Sequence, residues 1–427
     1  MTYGPDFSFF VSGEERQVFP DNPLWQRPLS GNSPGFLRNN LSKNVQNRPV
    51  AQNSEITIGE YFLAAKNFLI QPADGGDSNL LASAFAAIAR GKENPIHRVS
   101  LSLEKHGAFY HPMRVKVFSE TGHSFSFVLN GAVSRPGLAL IQNEYQLLSC
   151  LEKQVSTPYT PRVFGAGRIT LENQARSKSS QANQIQIKRQ VGFFLGEWFE
   201  GFQEFHITKS QGDLEIAIWV SSGDISYLSL NRALVVYEQI AYILTSYYNI
   251  YTGEQIFPWH HAAGDFIVNP LEEGFPVKLI TVRGYEPLME LDSDESRPGV
   301  VILQSLLFFF LSLTIRMQMD RLDGIGSMVF LGEAVLEATT KGFLRALDVK
   351  AGENAGDNFD ESIQPPESLD GLGEAFTEFM AGFSQNQVLT ILKNLIQSWH
   401  SNPLEQDLIE AHLESHCACV YSIFKNK

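Results

Sequence analysis

Between Arg297 and Arg316 the run Gly299-Val-Val-Ile-Leu-Gln-Ser-Leu-Leu-Phe-Phe-Phe-Leu-Ser-Leu-Thr-Ile315 is apolar at almost every position. Such a stretch has no polar face to offer water, so whatever the chain folds into has to surround it. A bilayer or a protein interior can do that. The run falls slightly short of the ~20 residues of a membrane span. Gln304, Ser305, Ser312 and Thr314 interrupt it, and no basic juxtamembrane cluster or second candidate span accompanies it. It reads as a helix buried on all sides within a lobe large enough to enclose it. With 427 residues, 43% of them hydrophobic, the chain has material for such a lobe and more. Its length suggests roughly two or three domains or lobes.

A formal net charge of -14 argues against a nucleic-acid partner, because neutralising phosphates takes clustered Lys and Arg and no such stripe occurs. Cys150, Cys417 and Cys419 are too few and too unevenly placed for a disulfide framework, which suggests a reducing compartment. The opening Met1-Thr-Tyr-Gly-Pro-Asp-Phe7 lacks the basic flank and apolar run of a signal peptide, so a cytoplasmic address and no membrane association are expected.

Residues 1–57, rich in Pro, Asn, Gly and Ser, read as an extended, partly ordered arm. Helical spacing predicts helices from Ile58 and over Leu80–Ala89. Alternation predicts antiparallel strands at Val99–Leu103, Met113–Phe118 and Ser124–Leu129. Pro136 opens an amphipathic helix that runs to about Lys153. A strand at Arg162–Ile169 and a return strand at Val191–Leu195 flank a polar loop. Past the glycine-flanked Gly196-Glu197-Trp-Phe-Glu-Gly201 the pattern is read as largely helical: 231–248, 299–319, 328–347, 369–383, 387–399 and 403–421.

Chemistry concentrates in two segments. Phe257-Pro-Trp-His260-His261-Ala-Ala-Gly-Asp265-Phe-Ile-Val268 brings two imidazoles and a carboxylate into a turn that leads to an apolar strand. Val277-Lys-Leu-Ile-Thr281-Val-Arg283-Gly-Tyr285 is an apolar strand ending in a guanidinium and a phenol. Imidazole titrates near neutrality and can act as a base, with Asp265 orienting a ring or holding a metal. The plainer alternatives are a turn held by imidazole-to-backbone bonds, Asp265 capping its own turn, and Arg283 pairing with Glu286 or Glu290. His412, His416, Cys417 and Cys419 do not have zinc-ligand spacing and read as structural. No G-x-S-x-G, G-x-G-x-x-G or G-x-x-x-x-G-K-[ST] motif is present in a suitable context, which removes serine-hydrolase, Rossmann and P-loop readings.

Five short strands with a helix after the third, a glycine-flanked crossing, then a helical lobe with a loop-and-strand centre: this order resembles the protein-kinase-like fold. It is most similar to the branch of choline and aminoglycoside phosphotransferases, over roughly residues 95–345. The resemblance implies an α+β, two-lobed fold, with a small antiparallel-sheet N-lobe at 58–196 and a larger helical C-lobe at 197–427 that carries the catalytic-like loop 257–269.

The resemblance also distributes roles. Lys105–Pro112, with one glycine, stands at the glycine loop. Asn130 stands near the phosphate-pairing lysine, with Lys116 on the neighbouring strand as a substitute, and Glu144 stands at the helix glutamate. Glu197 begins the hinge-like crossing. His260 falls at the catalytic Asp and Asp265 at the metal-binding Asn. The strand position of the magnesium Asp holds Thr281, with Arg283 two residues on. The expectation is therefore a bacterial-type kinase-like protein with a degenerate centre, a pseudokinase or ligand-binding module with ATP and Mg²⁺ as conceivable ligands. His260, His261, Asp265, Lys116, Asn130, Glu144, Glu197 and Arg283 are its candidate site residues. The alternatives are an unconventional phosphotransferase and a non-catalytic protein with a protein partner.

Overall fold

The structure, a computed structural model, describes residues 5–12, 17–29, 56–72, 78–89, 95–104, 110–171, 189–210, 212–219, 225–259, 262–288, 298–324, 326–353, 371–399 and 402–425. It is an α+β protein of two compact units, Met1–Ser149 with Pro161–Glu200, and Cys150–Thr160 with Gly201–Lys427. The crossing falls at Glu200–Gly201, close to the glycine-flanked segment expected from sequence, although the short stretch 150–160 belongs to the second unit.

The first unit runs β1 (Asp6–Val11), α1 (Ile58–Ile70), α2 (Leu80–Ile88), β2 (Ile96–Leu103), β3 (Met113–Ser119), β4 (Ser124–Ala132), α3 (Arg135–Leu151), β5 (Val163–Leu171) and β6 (Arg189–Glu197). Its six-stranded sheet has the order β1-β2-β3-β4-β6-β5. All pairs are antiparallel except β1 with β2. The sixth strand corrects the sequence reading: Asp6–Val11, assigned to the extended arm, pairs in parallel with β2 and packs Phe7, Phe9 and Val11 against the core.

Strict alternation sends Val99, Leu101, Leu103, Met113, Val115, Val117, Phe127 and Leu129 to one face, where α1 covers them. Thr57 and Glu60 form a capping box that starts α1. Gly131 is required by close approach, because a Cβ there would collide with the Tyr61 ring, whose hydroxyl donates to the His111 carbonyl. Helix α3 packs on the opposite face, where a Cβ at Gly192 would meet Leu138 and Ile141.

The second unit contains more sheet than its sequence pattern suggested. Strands β7 (Gln203–Ser210), β8 (Asp213–Trp219) and β9 (Ile225–Ser229) precede α4 (Leu230–Ser246). Then follow β10 (Glu254–Ile256), the one-turn α5 (Ala262–Asp265), β11 (Phe266–Val268), β12 (Val277–Leu279) and β13 (Tyr285–Pro287). A five-stranded sheet of order β12-β11-β7-β8-β9 results, and β10 pairs separately with β13. The expected single strand over 277–285 is thus split between two sheets.

Next come α6 (Pro298–Gln318), β14 (Met319–Arg321), β15 (Met328–Phe330), α7 (Glu333–Glu353), α8 (Leu372–Ala381), α9 (Gln385–Gln397) and α10 (Pro403–Lys425). The apolar run is α6, and its most hydrophobic window is 67% buried. Phe310 meets Phe343 of α7, Phe376 of α8 and Phe424 of α10 at 4.9, 5.5 and 5.5 Å between ring centroids. Phe309 stacks on Tyr248 at 4.3 Å. An all-round apolar helix is what a helix ringed by neighbours requires.

His412 and His416 serve this packing. His412 stacks on Phe330, and His416 meets Gln318 Oε1 at 2.6 Å through Nδ1. Burial pushes His416 down to about 4 and keeps it neutral.

Candidate functional site

The catalytic-like loop is framed within the second unit by two short strand pairings. β10 and β13 place Ile256 opposite Tyr285, and the Phe257 amide donates to the Gly284 carbonyl at 3.1 Å. β11 and β12 pair Phe266 with Leu279, and the Ile280 amide donates to the Asp265 carbonyl at 2.9 Å. The loop therefore starts and ends on fixed strands, with Trp259, Ala262, Ala263 and Asp265 buried between them. The Phe257–Pro258 bond is cis.

The same register brings together two residues 18 positions apart. Arg283 Nη1 donates to Asp265 Oδ1 at 2.7 Å, with the Asp265 side chain 1% exposed and that of Arg283 25% exposed. A carboxylate this buried needs a countercharge, and Arg283 is one. The guanidinium reaches Asp265, and Glu290, one of the two glutamates suggested as its partner, lies outside the described residues. A dication seated on this carboxylate would face a positive charge already in contact with it. Among the described residues no group of three or more His, Cys, Asp or Glu is arranged to hold a metal.

Behind the loop lies a second buried carboxylate. Asp320, the middle residue of β14, is 1% exposed, and its Oδ1 accepts from the Arg321 amide at 2.7 Å. Burial pushes it up to about 7, partly offset by the Arg321 amide and by the Ala263 amide of the loop. Tyr237 of α4 is fully buried close by, and burial together with the Asp320 charge holds its phenol well above the ordinary range. The first loop residue is held from another side: the Arg316 guanidinium lies 4.9 Å from the Phe257 ring and 4.2 Å from that of Trp399, and burial lowers it to about 10.

His260, His261 and residues 105–109 of the glycine-loop segment lie outside the described residues. Lys116, Asn130, Glu144 and Glu197 belong to the first unit. Lys116 pairs with Ser126, four residues before Asn130 on β4. The two share a sheet face but stand ~13 Å apart along it, too far for Lys116 to take the place of a lysine at 130. Glu144 is buried on α3 at 2% exposure. Glu197 fixes the start of β5: its amide donates to the Arg162 carbonyl at 2.8 Å and its carboxylate accepts from the Arg162 amide at 3.3 Å.

The cation nearer Asn130 is one that sequence reasoning missed. Arg114 pairs with Val128 on the same face, contacts both Glu200 oxygens at 2.7 and 2.9 Å, donates to Ser126 and lies 4.9 Å from the Trp198 ring. Asp320, Arg316 and Arg114 all follow hydrophobic or alternating patterns closely enough to pass as ordinary surface charges. Asp320 had a discernible signal, a lone carboxylate at the end of the most apolar run in the chain.

No family model matches this chain, and no curated protein matches it either.

Proposed function

We propose that the chain is a kinase-like-fold protein with a degenerate catalytic centre, a pseudokinase or ligand-binding module. The order of elements supports it: three antiparallel strands, a helix and two more strands in one sheet, then a loop framed by short strand pairs and followed by the long apolar helix. The observation that carries the degenerate reading is the Asp265–Arg283 pair. The carboxylate at the metal-binding position is engaged by a guanidinium. Thr281 stands where the second metal carboxylate belongs, and Asn130 where the phosphate lysine belongs. Phosphoryl transfer depends on such groups to neutralise developing charge.

Thermal unfolding in the presence of ATP tests this. Any stabilisation is expected to be the same with Mg²⁺ and with chelator. A large magnesium-dependent rise in melting temperature accompanied by ATP consumption would overturn the degenerate centre.

A further inference from the structure

The hairpin β8–β9 carries a surface that the catalytic-like loop does not use. Ten large apolar side chains are exposed among the described residues, and Trp219, Ile225 and Tyr227 of this hairpin are three of them, at 55%, 46% and 57%. Concentration on one hairpin makes a patch of what would otherwise be unremarkable exposure. The strand register sets its layout. Ile207, Ile216, Ile218 and Leu228 turn to the core. The opposite face presents the rows Tyr227–Ala217–His206 and Ile225–Trp219, with Glu215 paired to Ser229 in the next row. Buried Ala217 lies between Tyr227 and His206 in its row, and His206 meets Trp219 edge to face at 5.4 Å.

Two further properties narrow the occupant. β9 ends its sheet and, among the described residues, pairs on one side alone. Its sequence Ile225-Ser-Tyr-Leu-Ser229 has neither a charge nor a proline, the devices that keep an edge from accepting another strand. The aromatic face is also acidic. Glu215 lies on it, Glu204 lies on it two residues before His206, and Asp213 is exposed at the hairpin end. Open aromatic faces beside carboxylates in a chain of net charge -14 complement cations. A second copy of the chain would bring the same negative field instead.

We propose that this hairpin docks an extended, Arg- or Lys-bearing segment of a partner protein. The segment adds to the free edge of β9, setting alternate side chains over Trp219 and Tyr227 and pairing one cation with Glu215.

Fluorescence anisotropy of the full chain with a labelled peptide of alternating Arg and Val, and with its alternating Glu and Val counterpart, tests the proposal. The Arg peptide is expected to bind saturably and more weakly as salt rises, and the Glu peptide not to bind. Trp219→Ala combined with Tyr227→Ala should weaken binding at least about tenfold, and Glu215→Gln by less. Circular dichroism and the melting temperature of these variants should match the parent, since the aromatic pair is more than half exposed. Equal binding of both peptides, or undiminished Arg-peptide binding by the folded double variant, would overturn the proposal. So would concentration-dependent dimers in light scattering that Trp219→Ala abolishes, which would make a second copy the occupant. None of these readouts involves nucleotide, so the outcome is independent of the reading of the catalytic-like loop.

Discussion

Replacing Arg283 with Met is expected to destabilise the second unit by up to roughly 3–5 kcal/mol, the range for removing one partner of a buried ion pair. In a domain of this size that lowers the melting temperature by about 10 °C. The reasoning rests on asymmetry. Asp265 is 1% exposed and cannot turn to water, whereas Arg283 is a quarter exposed and reaches it from the strand side at 2.7 Å. Asp265→Asn should cost less, because the amide keeps the shape and a partly exposed guanidinium can be hydrated. The double variant Asp265→Asn, Arg283→Met should recover part of the loss, a coupling that denaturant unfolding of all four proteins measures. If Arg283→Met changed stability by less than about 1 kcal/mol, Asp265 would not depend on the guanidinium and the metal-holding reading would regain ground.

The pH dependence of stability carries the second large effect, through Asp320. Its folded value of about 7 lies above its ordinary 3.8, so the folded state prefers the neutral acid. Below about pH 3.8 both folded and unfolded forms hold the proton and stability is undiminished by this group. As pH rises the unfolded chain releases the proton first, and the penalty becomes complete once pH has passed about 7. Between pH 5 and pH 8 the loss is roughly 2–3 kcal/mol from this group alone. Asp320→Asn should remove that slope and raise stability at pH 8 relative to the parent. Urea unfolding across this range checks it. A parent whose stability is flat or rises through the window, with Asp320→Asn no different, would mean that the carboxyl is ionised and satisfied in the fold.

Apart from α6, whose unbroken apolarity marked it, the helices and the first-unit strands from β2 onward were legible because each buries one face, which forces periods of 3.6 or 2 onto the sequence. Val99–Leu103 alternates without exception and Met113–Phe118 up to its closing Val117-Phe118, and the structure extends them by a residue or a few. The parts that escaped are those whose pattern is overruled by what lies beside them. Asp6–Val11 sits among Pro and Gly residues and has consecutive phenylalanines, so its pairing with β2 is a tertiary fact. Gln203–Ser210 alternates at Phe205 and Ile207, but it lies between the crossing and the helix at 231–248, in a stretch read as part of a largely helical region. Met328–Phe330 is too short to carry a period and was merged with the helix that follows.

The same division runs through the site. The loop, Asp265 and Arg283 could all be singled out from residue type, yet their pairing depends on the β11–β12 register, which brings residues 265 and 283 together across the turn. Sequence distance favoured Glu286 or Glu290 as the arginine's partner. Lys116 shows the converse failure: adjacent in strand order to Asn130, it is displaced along the sheet by the pairing of Lys116 with Ser126.

Transfer of labelled phosphate from ATP, assayed with Mg²⁺ for the parent, Asp265→Ala and Arg283→Met, addresses most directly whether this centre works. No transfer by any of the three is expected, because freeing Asp265 restores neither a carboxylate at Thr281 nor a lysine at Asn130. Magnesium-dependent transfer by the parent that disappears in Asp265→Ala would contradict the account.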